Sequence, residues 1–184
     1  MWRKFCRFIL VNIWGWTPVG GTAPEDKCIL LGVPHTSAWD FVVAYLFYQA
    51  VGGDALCMVK KEFFRWPLGP IVRRMGGIPV DRKSPASIVR SVIREMGKRE
   101  KFHLAIAPEG TRQPVKRWKT GFHTIAKETG VPVYLCYFDW GTKRVGIECK
   151  VELTDDAKAD MARIQQMYED MHLTGKHPGM YVTH

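Results

Sequence analysis

The chain has 184 residues, 46% of them hydrophobic, and a formal net charge of +9. That length suits one domain with a substantial core, and the apolar fraction excludes a disordered tail. The charge is uneven: residues 60–101 hold twelve Lys/Arg against four Asp/Glu, a basic surface suited to phosphate-bearing partners such as an anionic membrane, a phosphorylated substrate, a nucleotide or a nucleic acid. The five cysteines, Cys6, Cys28, Cys57, Cys136 and Cys149, form no C-x-x-C or His/Cys cluster. No metal site is therefore expected, and buried free thiols in a reducing compartment are the economical reading.

The N-terminal stretch "MWRKFCRFILVNIWGW" places Arg3, Lys4 and Arg7 before an apolar run from Phe8 to Trp16. The run is too short to span a bilayer, which takes roughly 20 residues. A basic start and a short apolar core also suit a secretory signal peptide, but no A-x-A-like cleavage site follows. A helix lying in the membrane interface accounts better for Trp2, Phe5, Trp14 and Trp16; an ordinary helix packed on the domain is the alternative.

Beyond it, strands and helices alternate. "CILLGV" (28–33) reads as a buried strand, followed by a helix over 38–50 that Thr36 or Ser37 caps and Gly52-Gly53 stops. Further strands are expected over 55–59 and 77–80, separated by a basic, aromatic stretch of broken helix over 60–75. The spacing of Ile88, Val92, Ile93 and Met96 predicts a helix over 85–97. Then come a strand over 102–107, a helix over 118–129 closed by Gly130, strands over 131–138 and 145–151, and a polar amphipathic helix over 155–172 capped by Thr154 or Asp155. This order predicts an α/β fold: a single domain with a mostly parallel sheet flanked by helices on both faces.

In such sheets, polar residues just past strand ends are the places to look for chemistry. Three clusters stand there: His35 with Asp40, Asp81-Arg82, and Glu109-Gly110-Thr111-Arg112. If their strands are neighbours, all three meet at one sheet edge. On a continuous helix His35 and Asp40 would lie about 140° apart. With His35 ahead of the helix and Asp40 in its first turns, the imidazole can fold back onto the carboxylate. Asp40 would then fix the ring's tautomer, and the other nitrogen could take a proton from a hydroxyl. No protein nucleophile accompanies the pair; capping suits Ser37 better. Alone, His35 reads as a capping or core histidine, and Asp40 as a complement to the helix dipole. Arg82 and Arg112 can each grip a phosphate through paired hydrogen bonds, or form ion pairs with Asp81 and Glu109. Glu109 could hold Arg112 or bind a substrate hydroxyl, and Gly110 permits a tight turn beside a ligand.

Together these blocks resemble the glycerolipid (lysophospholipid) acyltransferases, the 1-acylglycerol-3-phosphate acyltransferase-like group. H-x-x-x-x-D is matched by His35 and Asp40, the Gly-x-x-x-x-Arg block by "GGIPVDR" with Arg82, P-E-G-T-R by residues 108–112, and a V-P-V run by residues 131–133. The resemblance covers about residues 28–140. It implies that His35 deprotonates an acceptor hydroxyl while Asp40 orients it, and that Arg82, Glu109, Gly110, Thr111 and Arg112 bind the acceptor. Backbone N–H groups near the helix start or in the third block are candidate oxyanion donors. It further implies an acyl-CoA or acyl-carrier protein co-substrate, no bound cofactor, and a lysophospholipid acceptor, most simply lysophosphatidic acid. Residues 1–22 would be a membrane-interface helix and 23–184 the acyltransferase α/β domain. The protein would sit peripherally (monotopically) on an anionic membrane at its cytoplasmic face, with no nucleic acid partner. The pattern is departed from at Ala107, where an aromatic residue is common, at Tyr134-Leu135-Cys136, which lacks a second proline, and in the added "RWKTGF" (117–122). The alternatives are a non-glycerol lipid acceptor, a basic membrane-binding thioesterase, or a non-enzymatic binding module.

Overall fold

The computed structural model describes residues 1–80 and 84–181. Seven strands, β1 (Thr17–Val19), β2 (Lys27–Val33), β3 (Ala55–Lys60), β4 (Gly77–Val80), β5 (Phe102–Ile106), β6 (Val133–Asp139) and β7 (Arg144–Val151), form one sheet in the order β1-β7-β6-β2-β5-β3-β4. Every neighbouring pair is parallel except β6 with β7.

β2 lies at the centre and shows why a strand can be apolar at nearly every position. Cys28 and Leu30 face one core, shared with Cys6 and Leu10 of the N-terminal segment and with Val43 and Phe47 of helix α2 (Ala38–Ala50). Ile29, Leu31 and Val33 face the opposite core. That core is closed by helices α4 (Pro85–Gly97), α5 (Gly121–Thr129) and α6 (Ala157–Asp170) through Val92, Phe122 and Ile164. Side chains alternate across a strand, so burial on both faces replaces an apolar/polar alternation with a continuous apolar run. Each such side chain contributes about 1.5–3 kcal/mol by leaving water. The two helical layers make the expected single α/β domain with a mostly parallel sheet.

Four features depart from the sequence expectation. At the N-terminus, helix α1 (Trp2–Phe8) continues as a π-helical turn (Ile9–Ile13), but residues 17–19 then join the sheet as edge strand β1, paired with β7. Trp16 is buried and meets Trp140 edge-on at 5.0 Å between ring centroids, so it is a core residue and not an interfacial one. Helix α5 starts at Gly121 and not Trp118, because the Lys119 N–H donates to the Pro108 carbonyl at 2.8 Å and ties this loop to the end of β5. Asp156, not Thr154 or Asp155, caps α6: its carboxylate accepts from the N–H groups of Lys158 and Ala159 at 2.9 and 3.0 Å. The basic, aromatic stretch after β3 is broken helix as expected, a 3-10 turn (Lys61–Phe64) followed by α3 (Leu68–Arg74). Among the described residues no helix is long and apolar enough to cross a membrane.

Candidate active site

Parallel strands end on the same side, and β2 has β5 and β6 as its neighbours. The residues just past these three strands therefore converge. His35 follows β2 by two positions, Glu109 follows β5 by three, and Trp140 directly follows β6.

Helix α2 organises the centre. Ser37 caps it, with its hydroxyl oxygen accepting from the Trp39 N–H at 3.3 Å, and Asp40 closes a capping box. The Asp40 carboxylate is fully buried and surrounded by donors. Its Oδ2 accepts from the N–H groups of Thr36 at 2.7 Å and Ser37 at 2.6 Å, and Oδ1 accepts from the Trp140 indole Nε1–H at 2.8 Å. His35 Nδ1 stands 3.5 Å from the same Oδ2, an ion-pair distance rather than a short hydrogen bond. The chain thus folds the imidazole back onto the carboxylate, as the five-residue spacing requires if His35 precedes the helix. The His35 side chain remains 27% exposed, and among the described residues no hydrogen bond holds its Nε2.

Glu109 has a partner that sequence reasoning did not consider. It is buried, and its Oε2 accepts from the backbone N–H of His35 at 2.7 Å. Burial pushes its carboxyl up to about 8; the His35 N–H opposes the rise and the nearby Asp40 charge adds to it. Glu109 accordingly pins the backbone that carries the imidazole. Gly110 adopts φ +68°, a left-handed conformation that favours glycine, and the end of the Lys119 side chain lies against its open face.

Beside this cluster opens a groove of about 640 Å³. It is lined by residues 36–39 from the start of α2, by residues 111–113 from the third block, and by Lys176, His177 and Met180 from the segment after α6. Of the sequence candidates, Asp40 and Glu109 each contact His35, Gly110 forms the turn, and Thr111 and Arg112 line the groove. Arg82 lies outside the described residues; β4, which leads to it, is at the sheet edge, two places from β5. Trp140 and Lys176 were missed. The search past strand ends would have found Trp140 had it extended to β6. Lys176 carries no sequence signal.

The acyltransferase family model matches residues 20–139, a span that holds all of these groups except Trp140 and the segment after α6. The crystal structure of the 1-acyl-sn-glycerophosphate (LPA) acyltransferase PlsC from Thermotoga maritima is similar to this chain with a TM-score of 0.63. The match covers 92% of this chain and 78% of that one at 18% sequence identity, a likeness of fold. No curated protein gives a significant match.

Proposed function

The chain belongs to the acyltransferase family, and from that premise we propose that it moves a fatty acyl group from an acyl thioester, acyl-CoA or acyl-carrier protein, to the hydroxyl of a lysophospholipid, most simply lysophosphatidic acid. The observation that carries this reading is the pairing of His35 Nδ1 with the buried Asp40 carboxylate beside a groove that Arg112 lines. With Nδ1–H turned to Asp40, the Nε2 lone pair takes the proton of the acceptor hydroxyl as its oxygen bonds to the thioester carbon. Collapse of the tetrahedral adduct breaks the C–S bond, and the imidazolium returns its proton to the departing thiolate. The N–H groups of Thr36 and Ser37 are engaged by Asp40, which leaves Ala38 at the helix start and the N–H groups of Thr111 and Arg112 as the oxyanion's donors. Arg112, with Arg82, meets the acceptor phosphate; Glu109 acts by holding His35.

Membrane attachment is supported by the outward side of the N-terminal helix. Trp2, Phe5 and Phe8 are each about half exposed beside Arg3, Lys4 and Arg7, while Cys6 faces the core. This face suits peripheral, monotopic binding to an anionic leaflet on the cytoplasmic side.

The test is acyl transfer from labelled acyl-CoA and acyl-carrier donors to a panel of lyso-lipids in anionic vesicles. Wild type transfers to lysophosphatidate, and His35→Ala lowers kcat by about 100-fold or more. Equal transfer by the variant, or none to any acceptor, refutes the reading. Thioester hydrolysis that an acceptor does not outcompete identifies a thioesterase instead.

A further inference from the structure

We propose that Lys176, brought to the groove by the segment after α6, forms with Arg112 a subsite for a phosphomonoester. The proposal rests on the acyl-transfer reading only for the identity of the substrate that carries the phosphate.

The backbone on either side of Lys176 is fixed. Thr174 donates its N–H to Asp139 Oδ1 at 2.9 Å and accepts from the Trp140 N–H at 2.8 Å. Gly175 is pressed against Thr36, so closely that a Cβ would lie 2.6 Å from Thr36 Cγ2. His177 donates its N–H to Thr36 Oγ1 at 3.3 Å. Further along, Tyr181 packs on the core, and its hydroxyl is near enough to Glu109 for that carboxylate to help burial raise its pKa. Between these anchors Lys176 lines the groove.

Its ammonium is held by aromatic faces. Nζ lies 4.5 Å from the Trp140 ring centroid and 5.1 Å from that of Trp39. Lys98, Lys101, Lys127 and Lys150 each reach a carboxylate, whereas among the described residues Lys176 reaches none. A ring face orients a cation without neutralising it, and the N–H donors on the open side stay available. Arg112 lines the same groove, is exposed, and likewise has no carboxylate partner among the described residues. Among the described residues no acidic side chain lines the groove. Two unneutralised cations, one a planar fork and one a point charge, in a groove free of acid select a dianion, and a phosphomonoester carries about −1.5 to −2 at neutral pH. The acceptor's headgroup or the 3′-phosphate of coenzyme A can supply it.

The test compares wild type with Lys176→Met, which keeps the stem over the rings, and Lys176→Arg, which restores the charge. The assay takes lysophosphatidate or monoacylglycerol as acceptor, and acyl-CoA or acyl-pantetheine as donor. For an acceptor phosphate, Lys176→Met raises the KM for lysophosphatidate by roughly ten- to a hundred-fold, changes kcat less, and leaves monoacylglycerol's kcat/KM in place. For the coenzyme phosphate, the rise falls on acyl-CoA and spares acyl-pantetheine. In both cases Lys176→Arg recovers most of the loss. Unchanged KM values for all four, or a loss shared equally by phosphate-bearing and phosphate-free substrates, overturn the proposal. Should wild type transfer to no acceptor, the reaction reading fails while the subsite is still tested, by phosphorus NMR titration of glycerol 3-phosphate. Saturation that weakens about tenfold or more in Lys176→Met upholds the subsite; equal titration of both proteins, or none by wild type, overturns it.

Discussion

Replacing Glu109 by glutamine isolates the proton that burial forces onto this side chain. The carboxyl has an ordinary value of 4.5 and a folded-state value of about 8, because desolvation outweighs the His35 N–H that it accepts. Below about pH 4.5 both folded and unfolded chains hold the proton, and Glu109 makes stability no more pH-dependent. Between about 4.5 and 8 the unfolded chain has released the proton and the folded chain retains it, so unfolding becomes easier as pH rises. The slope for one proton is roughly 1.4 kcal/mol per pH unit, and the accumulated loss is on the order of 5 kcal/mol. Glutamine keeps an oxygen for the His35 N–H and cannot ionise. The assay is urea denaturation of both proteins at pH 5, 6, 7 and 8, read as the difference in unfolding free energy. Other titrating groups cancel in that difference. Wild type should lose ground to Glu109→Gln steadily across the series, with the curve levelling above pH 8. The intercept carries the cost of seating an amide, and the slope carries the proton. A difference that stays flat over the series would refute the argument, since Glu109 would then be titrating as an ordinary carboxylate.

Trp140→Phe deletes the indole donor to Asp40 Oδ1 and keeps most of the ring. It should cost about 1–3 kcal/mol of stability in a part-buried, charge-assisted contact, and lower kcat by more than it raises KM as the carboxylate loosens behind His35. Tyr168→Phe tests the link between α6 and the end of β2. The buried hydroxyl donates to the Leu31 carbonyl at 2.7 Å and accepts from the Cys136 N–H at 3.3 Å, beside the irregularity in the β6/β7 register between Leu135 and Cys136. Its loss should lower unfolding free energy by about 1–3 kcal/mol, seen as a fall in Tm of several degrees, with the KM for acceptor unchanged.

The elements that sequence alone reveals are those whose cause is local. Continuous apolar runs mark β2 and β6 because both faces of each are covered, and Ser37 with Asp40 three residues on is a capping box readable as text. His35 and Asp40 are readable too, since the same five residues bring them together. Glu109 was singled out by its position past a strand end, yet its partner, the His35 backbone, follows only from β5 lying beside β2. Strand β1 and the buried Trp16 were hidden for a similar reason: a three-residue edge strand has no periodicity of its own, and it takes its shape from β7. The contribution of Trp140 depends on β6 flanking β2, and that of Lys176 on a loop with no repeating pattern. Local chemistry announces which residues can react; neighbour relations in the sheet decide which of them meet.

The contact between His177 and Thr36 joins positions 141 residues apart. At about 5–20 residues per second, synthesis leaves roughly seven to thirty seconds in which α2, with Asp40 in its first turn, has emerged and the far wall of the groove has not. A growing chain therefore holds the His35–Asp40 pair before the groove beside it is complete. The 173–181 segment closes the groove only after every strand of the sheet has been made, and a nick between α6 and Thr174 would undo that closure while leaving the strands in register.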